Sequence, residues 1–498
     1  MNHPIHTLLL AIAAAAFPLK PCPAQEAQPT APAPLGFECR KIDKPFVHIP
    51  IKNGAPKVRL LVKVDGEVQH GMDVELAQDQ ADWNGTLSVQ KWLGKKLSIV
   101  PENPLPASGW IHHMKMSDQL SDQDSVYKEK YRPQFHFATR RGWINDPNGP
   151  IYLNGEYPGN PVIPYVAGCN RDGKMVWYED KANPANSHWA AVLLLDGSNS
   201  SLWTSKNLIH WERTQALDNI DVCPDCADIY QIPLDGDPGK MKWVLWFGDG
   251  NYNVGTFDGK NFKNETGTIK SKTERTPGDR DRNDHTAQTF SNMPAADGRR
   301  IQIGWVLGDR KTPQFVGMPF TQQYPLPRVL TLRTTPDGPR LFFEPAKEIE
   351  KLRTGVTAQM QMTPLDGTAM PLKEDQPLGE LVEVNAVFTI HKEVMTQPGE
   401  NIVGLEINGQ KVTCDLAKDQ MIGNDGYQPL KVIDGQLKLR LFVDRTVVES
   451  FAAGVPWAPL SYPFMPADKP TYTVKVFGKK DLAEVELNAW QLQSIWKK

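Results

Sequence analysis

The sequence predicts an all-β protein, on three observations. Runs such as "PKVRLLVKVDG", "VQHGMDVEL" and "KKLSIVPEN" alternate apolar and polar residues at the period of a half-buried strand. Further on, "KMVWYED", "HWAAVLLLDG" and "KWVLWFGDG" are short, aromatic and closed off by Gly, Pro, Asn or Asp, the residues that turns between neighbouring strands favour. These runs follow one another without the long helices that a parallel sheet needs for its crossovers. A sandwich, a barrel or a propeller satisfies that texture.

The elements can be taken in order. At 498 residues the chain exceeds the usual length of one domain, and two to three domains are expected. Residues 1–25 read as a signal peptide: the apolar run Leu8 to Phe17 is too short to span a bilayer, and small residues surround Pro23-Ala24-Gln25 behind it, although His stands before the run where Lys or Arg is usual. Export follows as an expectation, with the chain secreted, periplasmic or at the cell surface. Residues 26–36 are rich in Pro and Ala and read as a linker. Residues 37–125 read as an amino-terminal, sandwich-like β module, its strands ending near Pro106 and a polar connector following. Residues 126–352 hold a long series of short strands, and residues 353–498, with "LVEVNAVFTI" and "LKLRLFVDRTVVESFAAG", read as a carboxy-terminal β-sandwich. No later run reaches membrane length, so no membrane span is expected.

Composition narrows the chemistry. The 55 Lys and Arg against 58 Asp and Glu leave a net charge of −3, which offers no bulk attraction to nucleic acid. Removing Cys22 with the leader leaves Cys39, Cys169, Cys223, Cys226 and Cys414, an odd set that makes no disulfide framework. Cys223-Pro-Asp-Cys226 has half the spacing of a zinc site, but no second pair completes four ligands. No metal and no organic cofactor are expected.

Aromatics beside carboxylates in an exported all-β chain point to carbohydrate, whose rings have apolar faces and hydroxyl rims. Glycoside cleavage needs one carboxylate as nucleophile and another carboxyl as acid and base. Asp146, between Asn145 and Pro147 behind Trp143, Asp172 behind Arg171, and Asp225 inside the Cys223–Cys226 turn are the candidates. The plain alternative is that each is a turn former whose oxygen satisfies local N–H groups. Trp177, Trp203, Trp211, Trp243 and Trp305, at strand-like positions, are expected in the core.

The motifs themselves carry a resemblance. "FHFATRRGWINDPNGPIYLNGEY", "NPVIPYVAGCNRDGKMVWYED" and "DVCPDCADIYQIPLDGDPGKMKWVLWFGDG" resemble the nucleophile, Arg-Asp-Pro and Glu-Cys-Pro-Asp regions of glycoside hydrolase family 32, which includes levanases, inulinases and invertases. "HTAQTFSNMPAADGRRIQIGW" and "LRLFVDRTVVESF" are similar to its later strands and its sandwich, and the β region before them to the amino-terminal module of levanase-type members. The resemblance implies a five-bladed-type β-propeller with a funnel-shaped site, a trailing β-sandwich and retaining hydrolysis of fructan or sucrose. Asp146 would then be the nucleophile at C2 of the fructosyl unit, Asp172 the carboxylate that holds the sugar hydroxyls and the transition state, and Asp225 the acid/base. Asn145, Arg171 and Gln288 would hold the site or the sugar, with Trp143 shaping the pocket.

Three departures bear on this. Asp225 stands where the family has Glu, withdrawing the carboxyl by roughly 1 to 1.5 Å, and a 1 Å misplacement costs on the order of 100-fold in rate. Gly173 replaces the Pro after Arg171-Asp172, removing a fixed φ. Asp172 follows Asp146 by only 26 positions, whereas a four-stranded blade takes roughly 40 to 50 residues, so the propeller is expected to close with fewer strands, to have an incomplete site, or to carry a deletion in the sequence itself. Two readings stay open on these residues: a working fructan hydrolase, or an impaired relative that binds fructan. A thiol reading also stays open, since Cys169 and Cys226 flank the candidate carboxylates and either bridge the site or pack as small hydrophobes.

Overall fold

The computed structural model describes residues 36–498 except 122, 125–126, 145–162, 164–165, 167–170, 197–198, 218–224, 272–284, 292, 295, 307–317, 373–377, 425, 468–471 and 497–498, with the backbone alone at 143, 196 and 285. It divides into two compact units, Met1–Ser125 and Val126–Lys498. The all-β expectation holds: among the described residues the α-helices, Trp110–His113 and Lys392–Met395, are four residues each.

The smaller unit pairs a four-stranded antiparallel sheet, built on Lys57–Val64, with a three-stranded one centred on Phe46–Ile51. Alternation in "KVRLLVKV" does what it predicts: Leu60, Val62 and Val64 are buried and join Val47, Ile49, Leu97, Ile99 and Trp110 in one core. Asp65 and Gly66, both at positive φ (51° and 92°), turn this strand into Glu67–Glu75, the conformation a two-residue hairpin loop needs.

Among the described residues the larger unit holds three antiparallel meanders of four strands, the unit from which propeller blades are made. The first runs Arg171–Tyr178, His188–Asp196, Asn199–Ser205 and Glu212–Leu217. The second runs Asp228–Leu234, Asp237–Trp246, Asn251–Phe257 and Phe262–Asn264. The third runs His285–Thr289, Arg300–Trp305, Arg328–Thr335 and Gly338–Pro345, and meets the second through the parallel pair Leu234 and Leu332. Gly142–Trp143 pairs in parallel with Phe320–Thr321. Trp203, Trp243 and Trp305 are buried and Trp211 partly so, as expected, whereas Trp177, near the end of its strand and edge-on against Trp189, is 43% exposed. Tyr178, Trp243 and Phe257 fill the contact between the first two meanders.

Two six-stranded antiparallel sheets follow, one centred on Leu381–Ile390 and one on Ile402–Ile407, around a core that includes Val384, Phe388, Val403, Leu405, Val476 and Leu487. A buried ionic clamp ties the segment before the first propeller strand to this sandwich. Asp444 accepts hydrogen bonds from the N–H groups of Gln134, Phe135 and His136 at 2.6, 2.7 and 2.9 Å. The His136 ring spans Asp444 (Nδ1, 3.0 Å) and Glu449 (Nε2, 2.9 Å), and Glu449 also accepts from Leu326 N and Ser461 Oγ.

Candidate active site

Candidate polar residues lie on or just before the first strand of each meander. Arg171 and Asp172 begin the first, Asp225 lies three residues before the second, and Gln288 is on the first strand of the third. Asp172 is not in regular strand geometry. The register passes from Val192 opposite Lys174 to Leu194 opposite Arg171, so Asp172 and Gly173 face the single residue Leu193. This is a β-bulge, and Asp172 takes φ of 58° within it. A bulge bends its strand and re-aims a side chain, here turning the carboxyl out of the sheet toward Asp225. The third meander has the same device: His285 faces Trp305 and Gln288 faces Ile303, leaving Thr286, at φ of 53°, and Ala287 in the bulge.

Asp225 is set by its own turn. Cys226 takes a φ of 44°, and Gly248 of the second meander lies so close that a Cβ there would come 2.4 Å from the Asp225 carbonyl oxygen. Gly248 accepts a hydrogen bond from Thr286 N at 2.8 Å, so one glycine carbonyl joins the second and third meanders directly behind Asp225.

Arg171 bridges the carboxylates, its Nε donating to Asp172 Oδ2 at 2.9 Å and its terminal nitrogen to Asp225 Oδ1 at 3.0 Å. Burial, hydrogen bonding to Asp225 and the Asp225 charge push the Asp172 carboxyl up to about 6, with Arg171 opposing. A hydrogen bond between two carboxyls needs one proton, so the pair holds a proton in a range where an isolated Asp has lost it. Asp172 is 12% exposed and Asp225 26%, so the pair stands at a polar surface that a ligand can reach. Ligand atoms of Asp172, Asp225 and Cys226 also lie within 4.8 Å of one another. Arg171 already supplies positive charge to both carboxylates there, which opposes a cation.

The model for the "Glycosyl hydrolases family 32 N-terminal domain" matches residues 136–159 and 156–345. This chain contains a glycoside hydrolase family 32 domain. It is 26% identical over 468 residues to a levanase of Bacillus subtilis (strain 168), covering 68% of this chain and 67% of that protein. It is 24% identical over 584 residues to a levanase of Bacillus sp. (strain L7), covering 88% of this chain but 62% of that protein, so it spans about two thirds of the length of these levanases. Among solved structures it shares its fold with exo-inulinase from Aspergillus awamori (17% identity, TM-score 0.59, covering 74% of this chain and 100% of that one). It also shares it with fructofuranosidase from Schwanniomyces occidentalis complexed with fructose (17% identity, TM-score 0.55, covering 68% and 73%).

Within this family 32 domain, the candidate residues fall into three groups. Arg171, Asp172 and Asp225 come together as described. Gln288 does not reach the polar surface: it is fully buried, and its Nε2 donates to the carbonyls of Cys226 and Ala227 at 3.1 and 3.3 Å, which makes it a strut under the Asp225 turn. Asn145 and Asp146 lie outside the described residues, and of Trp143 only the backbone is described. Cys226 is buried beside Asp225, while Cys169 and Cys223, the other thiols of the bridging reading, lie outside the described residues.

Sequence reasoning missed Lys174, Asp228 and Gly248. Lys174 and Asp228 are buried beneath the pair; the signal for Lys174 was a charge at a strand position, and Asp228 stands at the last position of the stretch that resembles the Glu-Cys-Pro-Asp motif. A separate cleft of about 680 Å³ lies past the other end of the Asp172 strand, lined by residues including Tyr178, His188, Lys206, Trp211 and Asp258. Several of its polar atoms face protein partners: Lys206 donates to the carbonyls of Ala185 and Ser187, the His188 ring nitrogens lie against those of Asn186 and Gly259, and Asp258 accepts from the N–H groups of Lys260 and Asn261.

Proposed function

We propose that this protein is an exported glycoside hydrolase that cleaves β-fructofuranosidic bonds of fructans or sucrose by a retaining double displacement. The observation that carries the reading is the Asp172–Asp225 pair, held together by Arg171 beside the first strands of two meanders, with burial and Asp225 pushing the Asp172 carboxyl up to about 6. In the first step an Asp146 oxygen bonds to C2 of the fructosyl unit, the C2–O bond to the leaving group breaks, and the leaving oxygen takes the Asp225 proton. In the second, water attacks C2, gives its proton to Asp225 and releases Asp146. Asp172, its charge developing as the pair gives up its proton, stabilises the oxocarbenium-like transition state and accepts hydrogen bonds from the sugar hydroxyls. The same proposal takes residues 1–25 as the leader, 26–36 as a linker, 37–125 as an accessory module, 126–352 as the catalytic domain and 353–498 as the trailing sandwich. It places the protein outside the cytoplasm, secreted, periplasmic or at the surface.

A second reading, an impaired relative that binds fructan without cutting it, has its own support. The family model matches in two stretches that meet at 156–159, inside the short Asp146–Asp172 interval, as a shortened blade would make it do. Incubation with levan, inulin and sucrose, each beside Asp146→Asn, separates the two readings. Release of fructose or short oligomers by the parent and not by Asp146→Asn supports the hydrolase. Release that survives Asp146→Asn sinks its catalytic assignment, and sugar binding without release by folded parent protein supports the binding relative.

A further inference from the structure

Directly below the carboxyl pair the first strands of all three meanders meet at one residue, Thr289. Asp228, fully buried on the first strand of the second meander, accepts the Thr289 N–H at 2.5 Å. Lys174, 1% exposed and two residues beyond Asp172, donates its ammonium to the Thr289 carbonyl. One residue's backbone is thus gripped at both polar groups by side chains from the other two sheets. Neighbouring contacts repeat the pattern, Gln288 bonding the carbonyls of Cys226 and Ala227 and Ser291 Oγ donating to the Met175 carbonyl at 3.0 Å.

This arrangement is costly unless it serves something. Burial lowers the Lys174 pKa, Asp228 opposing and Arg300 adding to it, and burial lowers that of Arg300 as well. Apolar residues of similar volume would pack there without that desolvation cost. What a charged grip adds over an apolar one is direction: its hydrogen bonds hold only at one spacing of the three strands. The spacing matters because Asp172 lies in the bulge of one of these strands and Asp225 three residues before another, next to the positive-φ residue Cys226, so the distance between the strands sets the distance between the carboxyls.

We propose that Lys174 and Asp228 are positioning residues which, through Thr289, set the distance between the Asp172 and Asp225 carboxyls. The inference rests on the hydrolase reading only for its consequence in turnover. The distance itself has a readout without turnover, since contact with Asp225 is one of the causes that raise Asp172.

The test is carbon-13 carboxyl titration of aspartate-labelled protein, assigned with Asp172→Asn, run beside turnover on fructan. Lys174→Met keeps the length of the side chain and removes its donor. It should lower the Asp172 midpoint by about one pH unit as the carboxyls part. It should also cut kcat by about tenfold or more while KM changes by less than about threefold, since a shift near 1 Å costs up to about 100-fold. Asp228→Asn keeps an acceptor for the Thr289 N–H and should hold the midpoint near that of the parent, whereas Asp228→Leu should lower it. An Asp172 midpoint unchanged in folded Lys174→Met overturns the proposal, as does equal behaviour of Asp228→Asn and Asp228→Leu; if Lys174→Met does not fold, the Asp228 pair decides. A parent protein that releases nothing counts against the hydrolase reading alone, and the titration still settles the positioning role.

Discussion

Replacing His136 by Gln should remove a pH-dependent part of the stability of the larger unit. The imidazole is completely buried, and each ring nitrogen faces a carboxylate, Asp444 and Glu449, so both nitrogens donate only when the ring is charged. Burial opposes that charge, but the hydrogen bonds to the two carboxylates and their negative charge outweigh it and hold His136 up at about 9 against an ordinary 6.5. At 1.36 kcal/mol per pH unit, this corresponds to roughly 3 kcal/mol as an upper figure. The sign follows from the raised value: the contribution is complete below pH 6.5 and disappears as pH rises through about 9. Unfolding by urea, followed by tryptophan fluorescence at several pH values from 6 to 10, gives the difference between parent and His136→Gln. Only the transition that the substitution moves belongs to the larger unit. The difference should shrink by about 2 to 3 kcal/mol between the ends of the series. A difference constant across that range would refute the charged clamp and leave His136 as an ordinary packed ring.

Three further outcomes are expected. Asp172→Asn should stabilise the fold at pH 7.5 by about 1 to 2 kcal/mol, discounted for partial exposure, because ionising a carboxyl raised to about 6 works against the folded state; the gain should vanish near pH 4, and melting temperatures at the two pH values check it. Gly248→Ala should destabilise by about 1 to 3 kcal/mol and displace Asp225, since its Cβ would stand 2.4 Å from the Asp225 carbonyl oxygen; a melting scan with the Asp172 titration reads both effects. Asp225→Glu should raise fructan turnover if the shorter side chain limits proton transfer, by about tenfold or more for a gain in reach near 1 Å, and unchanged or lower turnover would place the limit elsewhere.

Much of this molecule was legible along the chain. Alternation in "KVRLLVKV" and in "LVEVNAVFTI" predicted strands and the buried face of each, because a pleated strand sends neighbouring side chains to opposite sides whatever lies around it. The Asp65-Gly66 and Asp235-Gly236 turns were readable for the same local reason, since few residues besides Gly, Asn and Asp take positive φ readily. The motifs around Asp172 and Asp225 pointed to a family 32 domain and to carboxyl chemistry before any contact was known.

By itself, then, the sequence determined the strands, their turns, the all-β class and which carboxylates to watch. Tertiary structure alone decided what those carboxylates do to one another. Asp172 and Asp225 are 53 residues apart in the chain, and the Arg171 bridge and the rise of Asp172 exist only because two sheets bring them into contact. The bulge that aims Asp172 depends on the register with Leu193, a property of the pairing partner and not of "RDGK". Of the two tasks open to Gln288, holding the site or the sugar, its contacts support the first, and Lys174 and Asp228 emerged as a grip on Thr289, for the same reason: burial and hydrogen-bond partners belong to the packed arrangement of strands, and local periodicity carries no information about which strands become neighbours.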